Sequence, residues 1–187
     1  MPQDLLTERL TLSPWRLEEA AAVQEMYSRW EVMRYLGANP ELVTDLDQAR
    51  AKITGWQARG AGPLHGVWAI RLDGRPIGTA LLKLLPHSGS KLPSNDTEVG
   101  WHLHPDFWGH GYATEAAERL LEHAWAHGLT RVLAVTYPQN QASQAVCLRL
   151  GMTPLGSTTD YYDLTCSLFE ILAPASPAAL RSPVSQA

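Results

Sequence analysis

Apolar and polar residues alternate from Arg9 to Trp15, which puts Leu10 and Leu12 on one face of a short strand whose pairing Pro14 limits. From Leu17 to Arg29 the apolar spacing becomes helical, behind an alanine-rich and carboxylate-rich start. A second helical stretch covers Glu31 to Leu36 and stops at Gly37-Ala38-Asn39-Pro40. Thr44 or Asp45 caps a third, which runs to Arg59 with Leu46, Ala49, Ile53 and Trp56 on one face. Two strands follow, His65 to Leu72 and Pro76 to Leu85, joined at Asp73-Gly74, a strong hairpin signal. Pro86 to Asp96 is rich in Gly, Ser and Pro and reads as a loop; Thr97 to His104 reads as a strand that ends at Pro105. Gly111 to His127 is a long amphipathic helix closed by Gly128. The run Val132, Leu133, Ala134, Val135 marks a strand from Arg131 to Tyr137 that is buried on both faces. Asn140 to Leu150 is a helix, and strands over Met152 to Thr159 and Asp163 to Ile171 complete the order. Strands and helices mixed in this way predict a single α/β domain over residues 1–173, with a central mixed sheet and helices on both faces. The Pro-, Ala- and Ser-rich segment 174–187 reads as a disordered tail.

The 187 residues suit one domain, and 45% hydrophobic with 18% charged residues fits one sizeable core. The net charge of -4, without a Lys/Arg cluster, argues against a nucleic-acid partner. No apolar run reaches the length of a membrane span, and Met1-Pro2-Gln3-Asp4 does not open a secretory signal. Cys147 and Cys166 form no spaced motif, so a reducing, cytoplasmic location is the simpler reading.

The segment richest in chemistry is Trp101-His102-Leu103-His104-Pro105-Asp106-Phe107-Trp108-Gly109-His110-Gly111-Tyr112-Ala113-Thr114-Glu115-Ala116. A strand enters a glycine-containing turn, and the turn opens a long helix. The first turn of a helix leaves N–H groups unpaired at the positive end of its dipole, and glycines let backbone approach a bulky anion. The arrangement suits a pyrophosphate, although a plain helix entry has the same composition. There is no G-K-[ST], so this is no Walker loop, and the three-glycine dinucleotide fingerprint is absent.

Trp108-Gly109-His110-Gly111-Tyr112-Ala113-Thr114-Glu115-Ala116 resembles the acetyl-CoA pyrophosphate loop of GNAT acyltransferases, and in particular that of the Rim-type branch, named for enzymes that acetylate ribosomal-protein N-termini. Trp108 stands where the commoner GNAT pattern has Gln or Arg, and His110 replaces the branch's Lys. Leu6-Thr7-Glu8-Arg9-Leu10, Val32-Met33-Arg34-Tyr35-Leu36, and Asn140-Gln141-Ala142-Ser143 with Leu150-Gly151-Met152 resemble further segments of the branch in the same order. The resemblance covers Leu5 to Pro174. It implies the GNAT fold, with a mostly antiparallel sheet splayed at the cofactor site. It also implies direct transfer of an acetyl group from acetyl-CoA to a primary amine.

By that resemblance, Leu103 and His104 pair with the pantetheine arm through backbone groups. Trp108, Gly109, His110, Gly111, Tyr112, Ala113 and Thr114 hold the phosphates, and Asn140 binds the arm. Glu98 is the general base and Ser143 the acid that protonates the thiolate, because Cys147 stands where much of the superfamily has Tyr. Taken alone, Glu98 reads as a solvated strand-edge carboxylate, Asn140 as an N-cap and Ser143 as a small first-turn residue. His102 or His104 is a minor alternative base facing the acceptor. Trp30 and Tyr35 wall the acceptor pocket. Trp56, Trp68, Trp125 and Cys147 read as packing.

His123 and His127 share a helix face, but no Glu follows His123 and no Cys or carboxylate set accompanies the histidines, so no metal is expected. The acceptor is a protein N-terminus or a small-molecule amine, and the chain a monomer or homodimer. A second reading, a non-catalytic acyl-CoA-binding sensor, draws on the missing Tyr and the substituted phosphate-loop Lys.

Overall fold

The computed structural model describes residues 3–59, 62–90 and 92–175. Eight strands form one sheet: β1 (Leu5–Leu6), β2 (Leu10–Pro14), β3 (Gly66–Leu72), β4 (Arg75–Pro86), β5 (Pro93–Leu103), β6 (Arg131–Thr136), β7 (Thr153–Thr158) and β8 (Cys166–Leu172). Their order is β1-β2-β3-β4-β5-β6-β8-β7. Every neighbouring pair is antiparallel except β5 and β6, which run parallel. Five helices accompany the sheet: α1 (Ala20–Tyr27), α2 (Trp30–Met33), α3 (Leu46–Arg59), α4 (Tyr112–Ala126) and α5 (Gln141–Arg149).

Alternation along β3 shows why the sheet is covered on both sides. Trp68 and Ile70 pack with Ala116, Leu120 and Ala124 of α4, while Val67 and Ala69 face Val23 of α1 and Ile53 of α3. A strand buried on both faces must be apolar at every position, and Val67 to Ile70 are all buried. Asp73 and Gly74 both take positive φ, 49° and 80°, the geometry that lets a two-residue turn follow the strands' twist. Asp45 caps α3, its Oδ1 accepting from the Gln48 N–H at 2.8 Å.

Several elements differ from the sequence reading. Leu17–Glu19 forms a 3-10 turn before α1, and α2 is a single turn rather than a helix reaching Leu36. Leu46 lies exposed at the start of α3. The larger difference concerns Pro86 to Asp96. Here β4 continues to Pro86 and β5 begins at Pro93, and these two prolines pair across the ladder. Proline is tolerated at strand ends, where its missing N–H is not needed. The short turn between them is fastened from outside: Ser88 N–H donates to Asp160 C=O at 2.8 Å, Gly89 N–H to Asp163 Oδ1 at 2.6 Å, and the Asp163 N–H to Ser88 Oγ at 2.9 Å. Residues 176–187 of the expected tail lie outside the described residues.

Candidate active site

The parallel pair β5–β6 has one ladder partner, Glu98 opposite Leu133. Beyond it the two strands part, and the sheet is split. On its other side β5 stays paired with β4. The His104 N–H donates to Ile77 C=O at 2.9 Å, which makes Gly78 opposite Leu103 a non-hydrogen-bonded pair. Leu103 therefore points its N–H and C=O into the split. Its carbonyl accepts from Trp108 Nε1 at 2.9 Å, and its N–H faces the gap. The close approach of strands at such a pair depends on Gly78: a Cβ there would lie 2.4 Å from Leu103 Cδ2 and 2.5 Å from His102 O.

A cavity of about 450 Å³ opens on one side of the split. Gly109, Gly111, Tyr112, Ala113 and Thr114 line it. Gly109 and Gly111 have φ of 80° and 82°, a left-handed conformation that side chains resist. No side chain caps α4, so its first N–H groups face this cavity with the dipole behind them. The turn is braced from the N-terminal segment. Arg9 bonds the His110 carbonyl at 3.1 Å and pairs with Glu115 at 2.6 Å, and Thr7 donates to Glu115 at 2.6 Å. Asn140 caps α5, its Oδ1 accepting from the Ser143 N–H at 3.2 Å, and both residues line the cavity. Arg34 and Arg149 add positive charge to the wall. The donors and cations fit a polyanion.

A second cavity of about 440 Å³ shares Tyr35, Leu36, Trp101, His102, Asn140 and Ser143 with the first. Glu98 lines it and is only 8% exposed. Its Oε2 accepts from the Tyr162 hydroxyl, and Lys83 Nζ lies 3.6 Å away, above the Tyr162 ring. Burial pushes the Glu98 carboxyl above the usual glutamate range, and Lys83 and Tyr162 only partly oppose it. The same burial, with the Glu98 charge, pushes the Tyr162 hydroxyl far upward, so it stays a donor. His102 Nδ1 lies 3.0 Å from the Tyr27 hydroxyl, which also reaches Thr79 at 2.8 Å. Burial, with Lys52 and Lys83 nearby, lowers His102 to about 3. It is a neutral ring and a poor base.

The split thus gathers Glu98, His102, Leu103, Trp108 to Thr114 apart from His110, Asn140, Ser143 and Tyr35. Three expected residues stand apart. His104 lines neither cavity: its N–H is committed to β4, and its Nδ1 accepts from the Asp106 N–H at 3.3 Å, capping the turn Pro105–Phe107. Its carbonyl accepts from the Phe107 N–H at 3.0 Å, so neither His104 backbone group is free for the expected pairing with a cofactor arm. Trp30 is 55% exposed and outside both cavities, because the single turn of α2 buries Val32 and Met33 instead. The His110 side chain stacks on Tyr112 with centroids 5.6 Å apart, and only its backbone belongs to the turn. Cys147 is buried, its thiol pushed up to about 12, in keeping with packing. The sequence reading missed Lys83 and Tyr162 beside Glu98, Lys52 and Arg59 in the same cavity, and Arg149 by the phosphate turn. Among the described residues no group of three or more His, Cys, Asp or Glu side chains could hold a metal ion, and no helix is long and apolar enough to cross a membrane.

Residues 9–153 match the family model described as the acetyltransferase (GNAT) domain. The chain is 28% identical over 163 residues to the uncharacterized N-acetyltransferase p20 of Bacillus licheniformis, covering 85% of this chain and 87% of that protein. Among solved structures, the fold is similar to that of the acetyltransferase from Agrobacterium tumefaciens, with 25% identity, a TM-score of 0.70, and coverage of 91% of this chain and 95% of the other. It is also similar to RimL, a ribosomal L7/L12 alpha-N-protein acetyltransferase solved with coenzyme A. That likeness has 17% identity, a TM-score of 0.76, and coverage of 93% and 100%.

Proposed function

Since the chain belongs to the GNAT acetyltransferase family and is an acetyltransferase of that type, we propose that it carries an acetyl group from acetyl-CoA directly to a primary amine bound in the same complex. One observation carries the reading. Both cavities reach the split beyond the Glu98–Leu133 rung, where they share Trp101, His102, Asn140 and Ser143, so a donor on the α4 side and an acceptor on the Glu98 side would meet there.

In this reading the uncapped N–H groups of α4 hold the pyrophosphate of acetyl-CoA, with Arg149 and Arg34 supplying the charge that a lysine at position 110 would bring. The pantetheine arm lies along the open edge of β5. The N–H of Leu103 polarises the thioester carbonyl, and stabilises the oxyanion as the amine attacks. Glu98 takes the proton that the amine nitrogen loses, directly or through one water; its raised pKa suits that task. The C–N bond forms, the C–S bond breaks, and Ser143 relays a proton to the departing thiolate and regains one from solvent, while Glu98 returns the amine's proton to solvent. The Asn140 cap holds Ser143 at the first turn of α5. The acceptor belongs to either of two classes, a protein N-terminus as in the Rim-type branch or a small-molecule amine.

The first experiment is thermal unfolding with acetyl-CoA, CoA or ATP. A ligand that binds only the native state raises the melting temperature by mass action. A rise with acetyl-CoA and CoA, and none with ATP, is expected. No rise at saturating acetyl-CoA would sink the reading.

A further inference from the structure

The acceptor cavity is lined by three cations, Lys52, Arg59 and Lys83, and by one carboxylate, Glu98. Lys83 is matched by Glu98 at 3.6 Å. Lys52 and Arg59 form no ion pair among the described residues. Lys52 is half-buried on α3, and its ammonium sits 5.0 Å from the Tyr27 ring and 5.8 Å from the Trp56 ring. Burial, with Arg59 close by, lowers its pKa. Arg59 is exposed at the cavity mouth and Lys52 is partly buried beside it, so the like charge next to the half-buried ammonium is costly unless an anion joins them. Ala49, Ile53 and Trp56 provide the buried face of α3, and the aromatic contacts of Lys52 leave its positive charge without an anionic partner.

From this arrangement we infer that the acceptor is a small amine that also carries an anionic group, a carboxylate or a phosphate, seated between Lys52 and Arg59 while its amine lies towards Glu98. The inference rests on the acetyl-transfer reading above. Its volume suits a molecule of amino-acid size, about 440 Å³ being within the range of small-molecule sites. The same cations favour the reaction itself. They disfavour an ammonium beside them, so more of the bound amine is neutral and nucleophilic. A polyamine would add positive charge to an already positive cavity. The amine nitrogen gains the acetyl group and loses one proton, and CoA leaves as the thiol.

The test uses the full chain with acetyl-CoA and reads CoA thiol release. Acceptors are the free L-amino acids against their α-carboxamides, O-phosphoethanolamine against ethanolamine, spermidine, and a neutral tetrapeptide. The best acceptor is expected to be anionic and to exceed its neutral counterpart by about tenfold or more in kcat/KM. The carboxylate and phosphate arms tell the two sources apart. Lys52→Gln and Arg59→Gln should each shrink that ratio, mainly through KM, and Lys52→Arg should keep most of it. Equal or better turnover of the neutral amines, spermidine or the peptide overturns the inference and leaves acetyl transfer standing. If no acceptor turns over, calorimetry on the acetyl-CoA-loaded protein decides: binding confined to the anionic members supports it, and no such binding overturns it. A protein that acetyl-CoA does not stabilise removes the underlying reading as well.

Discussion

Tyr162 gives its hydroxyl hydrogen to Oε2 of Glu98 from a backbone at φ 63°, with Asp163 beside it at 57°. Two consecutive residues without glycine in the left-handed region are uncommon and bear a local cost. Here they carry the Tyr162 ring into the cavity beside a carboxylate 64 residues away. The Tyr162 hydroxyl and Lys83 give the buried Glu98 carboxylate two polar partners.

Glu98→Gln should lower kcat about 10²- to 10³-fold while acetyl-CoA still raises the melting temperature. Glu98 must be ionised to take a proton, and its pKa is raised. The rate should therefore fall on the acid side at a pH above the usual glutamate range, and Glu98→Gln should flatten that limb. Steady-state rates across pH check both outcomes.

Ser143→Ala should reduce kcat about 10- to 100-fold, with a much smaller change in the KM for acetyl-CoA. The backbone N–H that Asn140 caps is kept in this variant, so α5 should remain intact by circular dichroism. Single-turnover rates separate a slowed chemical step from slowed release.

Arg149→Ala should raise the KM for acetyl-CoA about tenfold and make it less sensitive to salt, because Arg149 is an exposed cation on the wall of the cavity proposed to hold the pyrophosphate. Titrations of acetyl-CoA at two ionic strengths give the comparison.

Gly78→Ala should destabilise the fold by about 1–3 kcal/mol, since the added methyl overlaps both Leu103 and the His102 carbonyl. Urea unfolding measures it. Displacing β5 also moves the Leu103 N–H, so kcat should fall with stability.

Glu19 gives a pH signature far from the site. Burial pushes its carboxyl up, but hydrogen bonds from Arg71 and Arg16 outweigh this and hold it at about 2. A depressed pKa means that the pair stabilises the fold fully above the usual 4.5 and that this is lost as pH falls towards about 2. Glu19→Gln should be less stable at neutral pH, where it leaves buried Arg71 unpaired, and should lose less on acidification. Melting temperatures across that range decide it.

The glycine turn into α4 was readable because its signals are local: two glycines, a helix start and an aromatic that reaches back five residues all lie in one run of sequence. The surroundings of Glu98 were not. Lys83 comes from the neighbouring strand and Tyr162 from a distant turn, and neither has a spacing that points at position 98. Composition misled at Pro86 to Asp96, because the ladder and the 158–163 turn outweigh the local preference of Pro, Ser and Gly. It misled again at Trp30, where a helix one turn long could bury only two of its residues. Leu103 was legible as part of a strand, but the direction of its N–H follows from register, which a single sequence does not fix.

The single rung between β5 and β6 also bears on self-association. A strand lacking a neighbour presents a template on which another polypeptide can build, and proteins guard such templates at their periphery. The outermost strand β7 is guarded by Pro154 and by a register shift between Pro154 and Gly156. The template inside the split has no such protection in its own sequence. Its guard is access: α4 and α5 stand over one side and the early helices over the other. A second polypeptide would have to pass between these helices to reach the template, so the cover over both faces does for the split what Pro154 does for β7.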